Sequence, residues 1–439
     1  MGSLMLDKSR SDEELGTVAL AASSPSSSKV PAASWYALAV LTFINIFGYM
    51  DRIALSMLMQ PIKLDLHLSD QQLGLLSGIA FALFYAILGI PLARLADRSS
   101  RVRLISICLT LWSTMTALSG FAQNYTQLFL ARIGVGIGEA GCVPPAHSLI
   151  GDYFPRAKRA LGVSLFNAGA AVGVSVGMFA IGAMGETLGW RASLQIVGLL
   201  GLPLAAVTFL TLREPARPRI EKADAESAFQ SIGGLLRRPA FVHLAIAFSL
   251  GQVATHGFSQ WAPTFLIRSF NMGMAEIGAW IGAISAGGGV LGVVVGGLLA
   301  ARLIPHDARW ELWLPGGALA TCIPLFVAMV LSPFAWLVLL LKMLIAFFGA
   351  ISSGVAIAAV QSFAEPARRA TAVSLVLFLS ALLGGGAGPY LIGLASDLLE
   401  PAFGKESLRY AFLIAATMLG WAAIHYFLAA RNSLKDRVN

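Results

Sequence analysis

Residues 154–165, FPRAKRALGVSL, return loosely at 364–375 as AEPARRATAVSL. Arg159 falls on Arg369, Ala160 on Ala370 and Val163-Ser164-Leu165 on Val373-Ser374-Leu375, an offset of 210. The same offset sets Arg132 on Lys342 and Ala140 on Ala350, and a second echo at 208 pairs Gly89 and Arg94 with Gly297 and Arg302. The chain therefore reads as two related halves.

Working outward from the repeat, composition names the solvent these halves face. The 439 residues are 57% hydrophobic and 12% charged, with mean hydropathy +0.74, whereas soluble domains carry about a quarter of their residues as charges. Lipid is the matching solvent. A crossing helix uses about 20 apolar residues, and twelve apolar runs begin near Trp35, Gln71, Leu104, Leu128, Ala160, Ala192, Phe241, Glu276, Trp310, Phe334, Ala370 and Tyr410. An even number of spans separates the repeat copies, so the repeat is parallel. Its halves are related by an axis along the membrane normal, with a solute site between them. The expected fold is an all-α membrane protein, twelve transmembrane helices in two pseudo-symmetric six-helix bundles. Residues 1–33 read as a disordered tail, 34–212 as the first bundle, 213–239 as a linker on the membrane surface, 240–431 as the second bundle and 432–439 as a closing tail.

The net charge of +8 is distributed unevenly. Of 31 Lys and Arg, the tails and even-numbered loops hold 23, the odd-numbered loops five, and Arg52, Arg132 and Lys342 lie inside spans. Basic loops stay cytoplasmic, which predicts both termini on that side of an integral, multi-pass protein, with a bacterial inner membrane as the expected location. The basic residues read as topogenic charge, not as a nucleic-acid surface. Cys108, Cys142 and Cys322 sit in apolar runs without metal-ligand spacing. No HExxH, Ser-His-Asp constellation, cofactor loop or Walker loop appears, so no enzyme, no cofactor and no direct ATP drive is expected. A pore is disfavoured because two halves with unequal charges suit gating better than open conduction.

Charges at bilayer depth are costly and mark function by default. Arg132, Gly136, Glu139 and Val143 follow helical spacing and share a face of the fourth span, with Gly134, Gly138 and Gly141 on the opposite, packing face. Asp51 and Arg52 are adjacent, so they point about 100° apart; one is free to pair while the other lines the cavity. Asp51 and Arg132 reach similar depths, as an ion pair that either pins two helices or works as a coupled switch. Burial favours a neutral acid and a nearby guanidinium favours the carboxylate. Moving Arg52 or Arg132 relative to Glu139 would therefore load or release a proton, making Glu139 and Asp51 the proton-coupling candidates. Arg52, Arg132, Glu139, Tyr49 and His256 are the solute-binding candidates, since a guanidinium fork suits an anionic head group. Aromatic side chains including Phe81, Tyr85, Phe258 and Trp261 offer surface for an acyl tail. Lys342 is left between snorkelling outward, pairing elsewhere and touching solute. Gly169, Gly173 and Gly177 of the fifth span, with Gly384, Gly385, Gly386 and Gly388 of the eleventh, are expected where the bundles slide.

The loop Ala93-Arg94-Leu95-Ala96-Asp97-Arg98-Ser99-Ser100-Arg101-Val102-Arg103 resembles the cytoplasmic loop motif G-x-x-x-D-R-x-G-R-R/K of the major facilitator superfamily. Ala93 and Ser100 replace two of its glycines. Asn45 to Arg52 (NIFGYMDR), Arg132 to Ala140 (RIGVGIGEA) and Asp152 to Arg159 (DYFPRAKR) are similar to the Spinster branch, whose animal members carry lysolipids and sphingosine phosphates. The resemblance implies a monomeric secondary transporter that works by alternating access. It also implies a latch in which Asp97 meets the start of the eleventh span and closes the inner gate, with Arg98, Arg101 and Arg159 as further gating candidates. The expected cargo is an amphipathic lipid-like solute driven by a proton gradient. A small organic anion or sugar acid such as a hexuronate, or export of a drug, is the alternative. The fifth span lacks the proline of the drug-antiporter motif.

Overall fold

The computed structural model describes residues 30–215, 228–365 and 368–436. Most of the tail expected over 1–33, and Arg217, Arg219 and Lys222 of the linker, lie outside the described residues. No strand occurs among those described.

Ten segments are helical, long and apolar enough to cross a bilayer, and they belong to twelve crossings. Thr371–Ser433 contains two of them, because the chain reverses at Gly404, a left-handed residue with φ +53°. The fourth crossing is missing from the ten because it is cut into Tyr125–Ala140 and Val143–Tyr153. Pro144 and Pro145 occupy the first turn of the second piece, where a missing N–H does no harm, and the piece before them stops at Gly141. Val143 thus starts a new helix, yet it still lines the cavity beside Glu139.

Local chemistry fixes other ends. Ser69 and Gln72 form a reciprocal capping box at the start of the second span, Ser100 caps the third and Asn124 the fourth. The first span (Ala32–Leu66) and its repeat mate, the seventh (Pro239–Phe270), end alike, each on a left-handed residue, His67 or Asn271. Each also has one basic residue in its last turn, Lys63 or Arg268.

Each half packs by the same plan. The first span packs on the fifth (Arg159–Thr187) as the seventh packs on the eleventh, and the third (Arg101–Ser119) packs on the sixth (Gly189–Thr211) as the ninth (Trp310–Leu331) packs on the twelfth (Leu413–Asp436). Two main seams join the halves, the fifth span against the eighth (Met274–Leu303) and the second (Asp70–Arg98) against the eleventh, and the first span also meets the seventh. Both described chain ends lie at one end of the bundle, which we call the terminal end. The seams close at the opposite, far end. There Gly182 meets the backbone of Met274, and Gly278 meets that of Met178, so closely that a Cβ would collide. Gly74 likewise abuts Pro389. Toward the terminal end, the later parts of the eighth and tenth spans and Arg369–Leu379 pack chiefly within their own half.

The glycine expectation needs correcting. Gly169, Gly173 and Gly177 lie on the first span, within one half, against Thr42, Ile46, Tyr49 and Met50. Gly384 and Gly388 touch the seventh span, and of that cluster Gly385 and Gly386 reach across to Gly78, Gly386 also to Ala82. Small residues report that a helix comes close, not which one. The glycine-rich Ser285–Gly289 and Ser380–Ala387 are wound as π-helix inside the eighth and eleventh spans.

Candidate functional site

Four charged side chains meet inside the first half. Asp51 is 1% exposed; it accepts a hydrogen bond from the Thr116 hydroxyl at 2.6 Å, and its other oxygen lies 3.7 Å from Nη1 of Arg132. Arg52, one residue on, turns elsewhere: its Nε donates to Oε2 of Glu139. Both neighbours therefore pair, with different partners. Glu139 and Arg132 are themselves buried, but the Arg52 side chain keeps 26% exposure. Its guanidinium carbon sits 5.0 Å from the Tyr49 ring centroid, 5.2 Å from Phe81 and 4.9 Å from Tyr85, while Arg132 lies 5.8 Å from Phe81. Cation–π attraction of this kind steadies a desolvated guanidinium.

Close packing makes this arrangement. Gly134, Gly138 and Gly141 let the fourth span lie on Met115, Trp112 and Cys108 of the third. Gly136 lies on the Phe81 backbone of the second. Oε1 of Glu139 and Oδ2 of Asp51 are buried without a hydrogen-bond donor, so neither carboxylate is saturated. Beside Glu139 is a cavity of ≈ 20 Å³, lined in part by Asn45, Tyr49, Arg52, Trp112 and Cys142, about the size of one water. His256 is exposed on the seventh span, within 3.4 Å of Gln252 and electrostatic reach of Arg52. It brings the second half to the same place.

The aromatic surface divides. Tyr49, Phe81 and Tyr85 surround Arg52. Phe258 and Trp261 are buried in the second half's core, Phe258 edge-on to Phe326 and Phe412, and Trp261 donating to the Pro389 carbonyl at 2.8 Å.

At the terminal end, Asp97 and Arg98 are exposed. Arg101 turns into its own half, 2.7 Å from Glu214, 2.5 Å from Asp152 and 2.8 Å from Ser148. Arg159 donates to the Phe154 carbonyl at 3.1 Å. Glu214 also accepts from the Ser100 hydroxyl and Val102 amide. Burial pushes its carboxyl up, but the Val102 amide, Arg101 and Ser100 outweigh that and hold it below the usual range.

Sequence reasoning missed the far end. Asp70 is buried, clamped by Arg268 through two bonds of 2.6 and 2.7 Å, by Lys63 at 2.7 Å and by the Ser396 hydroxyl at 2.6 Å. Asp397, near the end of the eleventh span, accepts from the Asp70 and Gln71 amides that open the second span, at 2.9 and 2.7 Å. On the other seam, Glu186 at the end of the fifth span accepts from the Ala275 amide that opens the eighth, at 2.7 Å. Each carboxylate caps a helix of the other half, where the dipole favours negative charge. The available signal was that Lys63 and Arg268 hold matching places in the two halves.

Comparison with known proteins follows the same lines. The sequence model of the Major Facilitator Superfamily matches residues 41–389. The "MFS-type efflux pump" of Mycolicibacterium smegmatis is 34% identical, over 92% of this chain and 95% of its own. The "Sphingosine-1-phosphate transporter SPNS2" of Danio rerio is 26% identical, over 91% of this chain and 85% of its own. Among solved structures, a bacterial homologue of the human lysosomal transporter Spinster, described as inward-facing and unoccupied, superposes with a TM-score of 0.86. It shares 30% identity and covers 94% of this chain and 100% of its own.

Proposed function

The chain belongs to the major facilitator superfamily and resembles its Spinster branch, so it is a multi-pass membrane transporter and not an enzyme; from that premise we propose that it carries an amphipathic, anionic lipid-like solute by proton-coupled transport. The cargo would be of the lysophospholipid or sphingosine phosphate type, moved by alternating access.

The observation that carries this reading is the Arg52–Glu139 pair inside a ring of Tyr49, Phe81 and Tyr85. With Glu139 ionised, Arg52 is neutralised by it. With Glu139 protonated, the Arg52 fork, already partly exposed, is free to take an anionic head group, and the rings accept the apolar stem beyond it. The Glu139 carboxylate and the solute anion thus compete for one guanidinium, so protonation of Glu139 favours loading. Asp51 and Arg132 hold the next helix turn in place and form a second candidate for the proton. His256 adds a polar contact from the other half, and Asp97, Arg98, Arg101 and Arg159 belong to the terminal-end gate. By the basic loops, the terminal end faces the cytoplasm of a bacterial inner membrane, so the far-end-closed form is the inward-open state.

The test is uptake of labelled lysophospholipid, sphingosine phosphate and a hexuronate into proteoliposomes, with and without a pH gradient. Wild type should transport a lipid and respond to the gradient; Glu139→Gln should transport with the gradient response abolished. Lipid transport indifferent to both gradient and substitution removes the coupling. Hexuronate transport alone gives the site to a small sugar acid.

A further inference from the structure

Among the described residues six Asp, Glu, Lys or Arg are buried: Asp51, Asp70, Arg101, Arg132, Glu139 and Lys342. Five have an opposite charge within 4 Å. Lys342 does not. It is 8% exposed in the tenth span (Ala335–Ser362), which rules out snorkelling to the membrane surface, and its ammonium lies 4.7 Å from the centroid of the Phe258 ring. A ring face attracts a cation but does not discharge it, and an uncompensated buried charge is costly.

The internal repeat shows what is missing. Lys342 stands where Arg132 stands in the first half, seven residues into its helix, so about 10 Å deep. Arg132 finds Asp51 on the first span. The seventh span, mate of the first, contains no acidic residue, nor does the tenth. Meanwhile Asp51 and Glu139 balance Arg52 and Arg132, so among the described residues Lys342 is the one buried charge without a counter-charge.

Position completes the argument. Phe258 immediately precedes Ser259 and Gln260, whose carbonyls accept the Ser56 hydroxyl of the first half, the closer at 2.6 Å. Lys342 therefore lies against the seventh span close in sequence to where the first span bonds it. We propose that Lys342 is an anion subsite that shares the phosphate or carboxylate of the solute with Arg52, in place of the carboxylate the second half lacks. The proposal rests on the transport reading and narrows it: an uncharged analogue leaves the lysine unmatched.

The experiment measures binding of sphingosine phosphate, glucuronate and an uncharged monoacylglycerol to the purified full-length protein, as wild type, Lys342→Met and Lys342→Arg. Lys342→Met should lose at least about tenfold in affinity for whichever anion wild type binds. Lys342→Arg should retain most of it, and monoacylglycerol binding should not change. Without solute, Lys342→Met should melt no lower than wild type. Which anion responds separates a lipid phosphate from a sugar acid. Unchanged anion affinity in Lys342→Met, or equal loss for charged and uncharged probes, overturns the subsite while leaving the transport reading intact. Wild type that binds neither anion overturns both.

Discussion

The far and terminal ends of the molecule are assembled from similar parts in opposite conditions. At the far end, Asp397 and Glu186 sit on helix starts of the opposite half, and Lys63 and Arg268, the basic residues in the last turns of the first and seventh spans, close on a single carboxylate, Asp70. At the terminal end, Asp97 closes the second span as Asp397 nearly closes the eleventh, but it is exposed, and Arg101 is committed to Asp152 and Glu214 within its own half. The difference teaches how a rocking carrier holds a closed end. Backbone amides and a few charges, each worth about 1–3 kcal/mol, seal it, and such contacts are exchanged far more readily than a packed apolar core.

Breaking the richer end should have the larger effect. Asp70→Asn leaves Arg268 and Lys63 facing each other without a counter-charge, a change of about 3–5 kcal/mol for a buried pair. Spin-label distances across the far end should lengthen, and transport should fall. The opposite sign is expected of Asp97→Asn if Asp97 belongs to the proposed terminal-end gate: the population should shift toward the far-end-closed form, and unchanged distances between the halves would remove Asp97 from the gate. Glu186→Gln weakens one seam by about 1 kcal/mol. It should give the same direction as Asp70→Asn at smaller amplitude, which tests whether the two seams act together.

Legibility in the sequence follows the same division. The repeat around Arg159 and Arg369 and the long apolar runs disclosed twelve crossings and two halves because both are periodic. Asp51, Arg52, Arg132 and Glu139 were visible because a charge within an apolar run stands out. Asp70, Glu186 and Asp397 were not, because acidic residues at span ends are ordinary: Glu186 and Asp397 meet backbone amides 89 to 327 residues away, and Asp70 meets Arg268, 198 residues away. The break after Gly141 was announced by Pro144 and Pro145, yet periodicity ran straight through it.

The smallest effect belongs to the tie that holds the terminal end in place. Glu214 is held below its usual range by Val102, Arg101 and Ser100, so its contribution is full above the unfolded value, about 4.3. It is lost as the pH falls through the lower folded value. Hydrogen exchange at the Val102 amide should stay slow at neutral pH and quicken only in acid, after correction for intrinsic rates.

The widened winding at Ser380–Ala387 bears on how the far end comes apart. A π turn holds more residues than an α turn, so tightening that stretch would rotate everything beyond Gly388 about the helix axis. Asp397 would swing off the amides it caps while the start of the eleventh span stayed still. The helix thus carries slack of its own, and one end of the protein can unlock by a twist within a single rod.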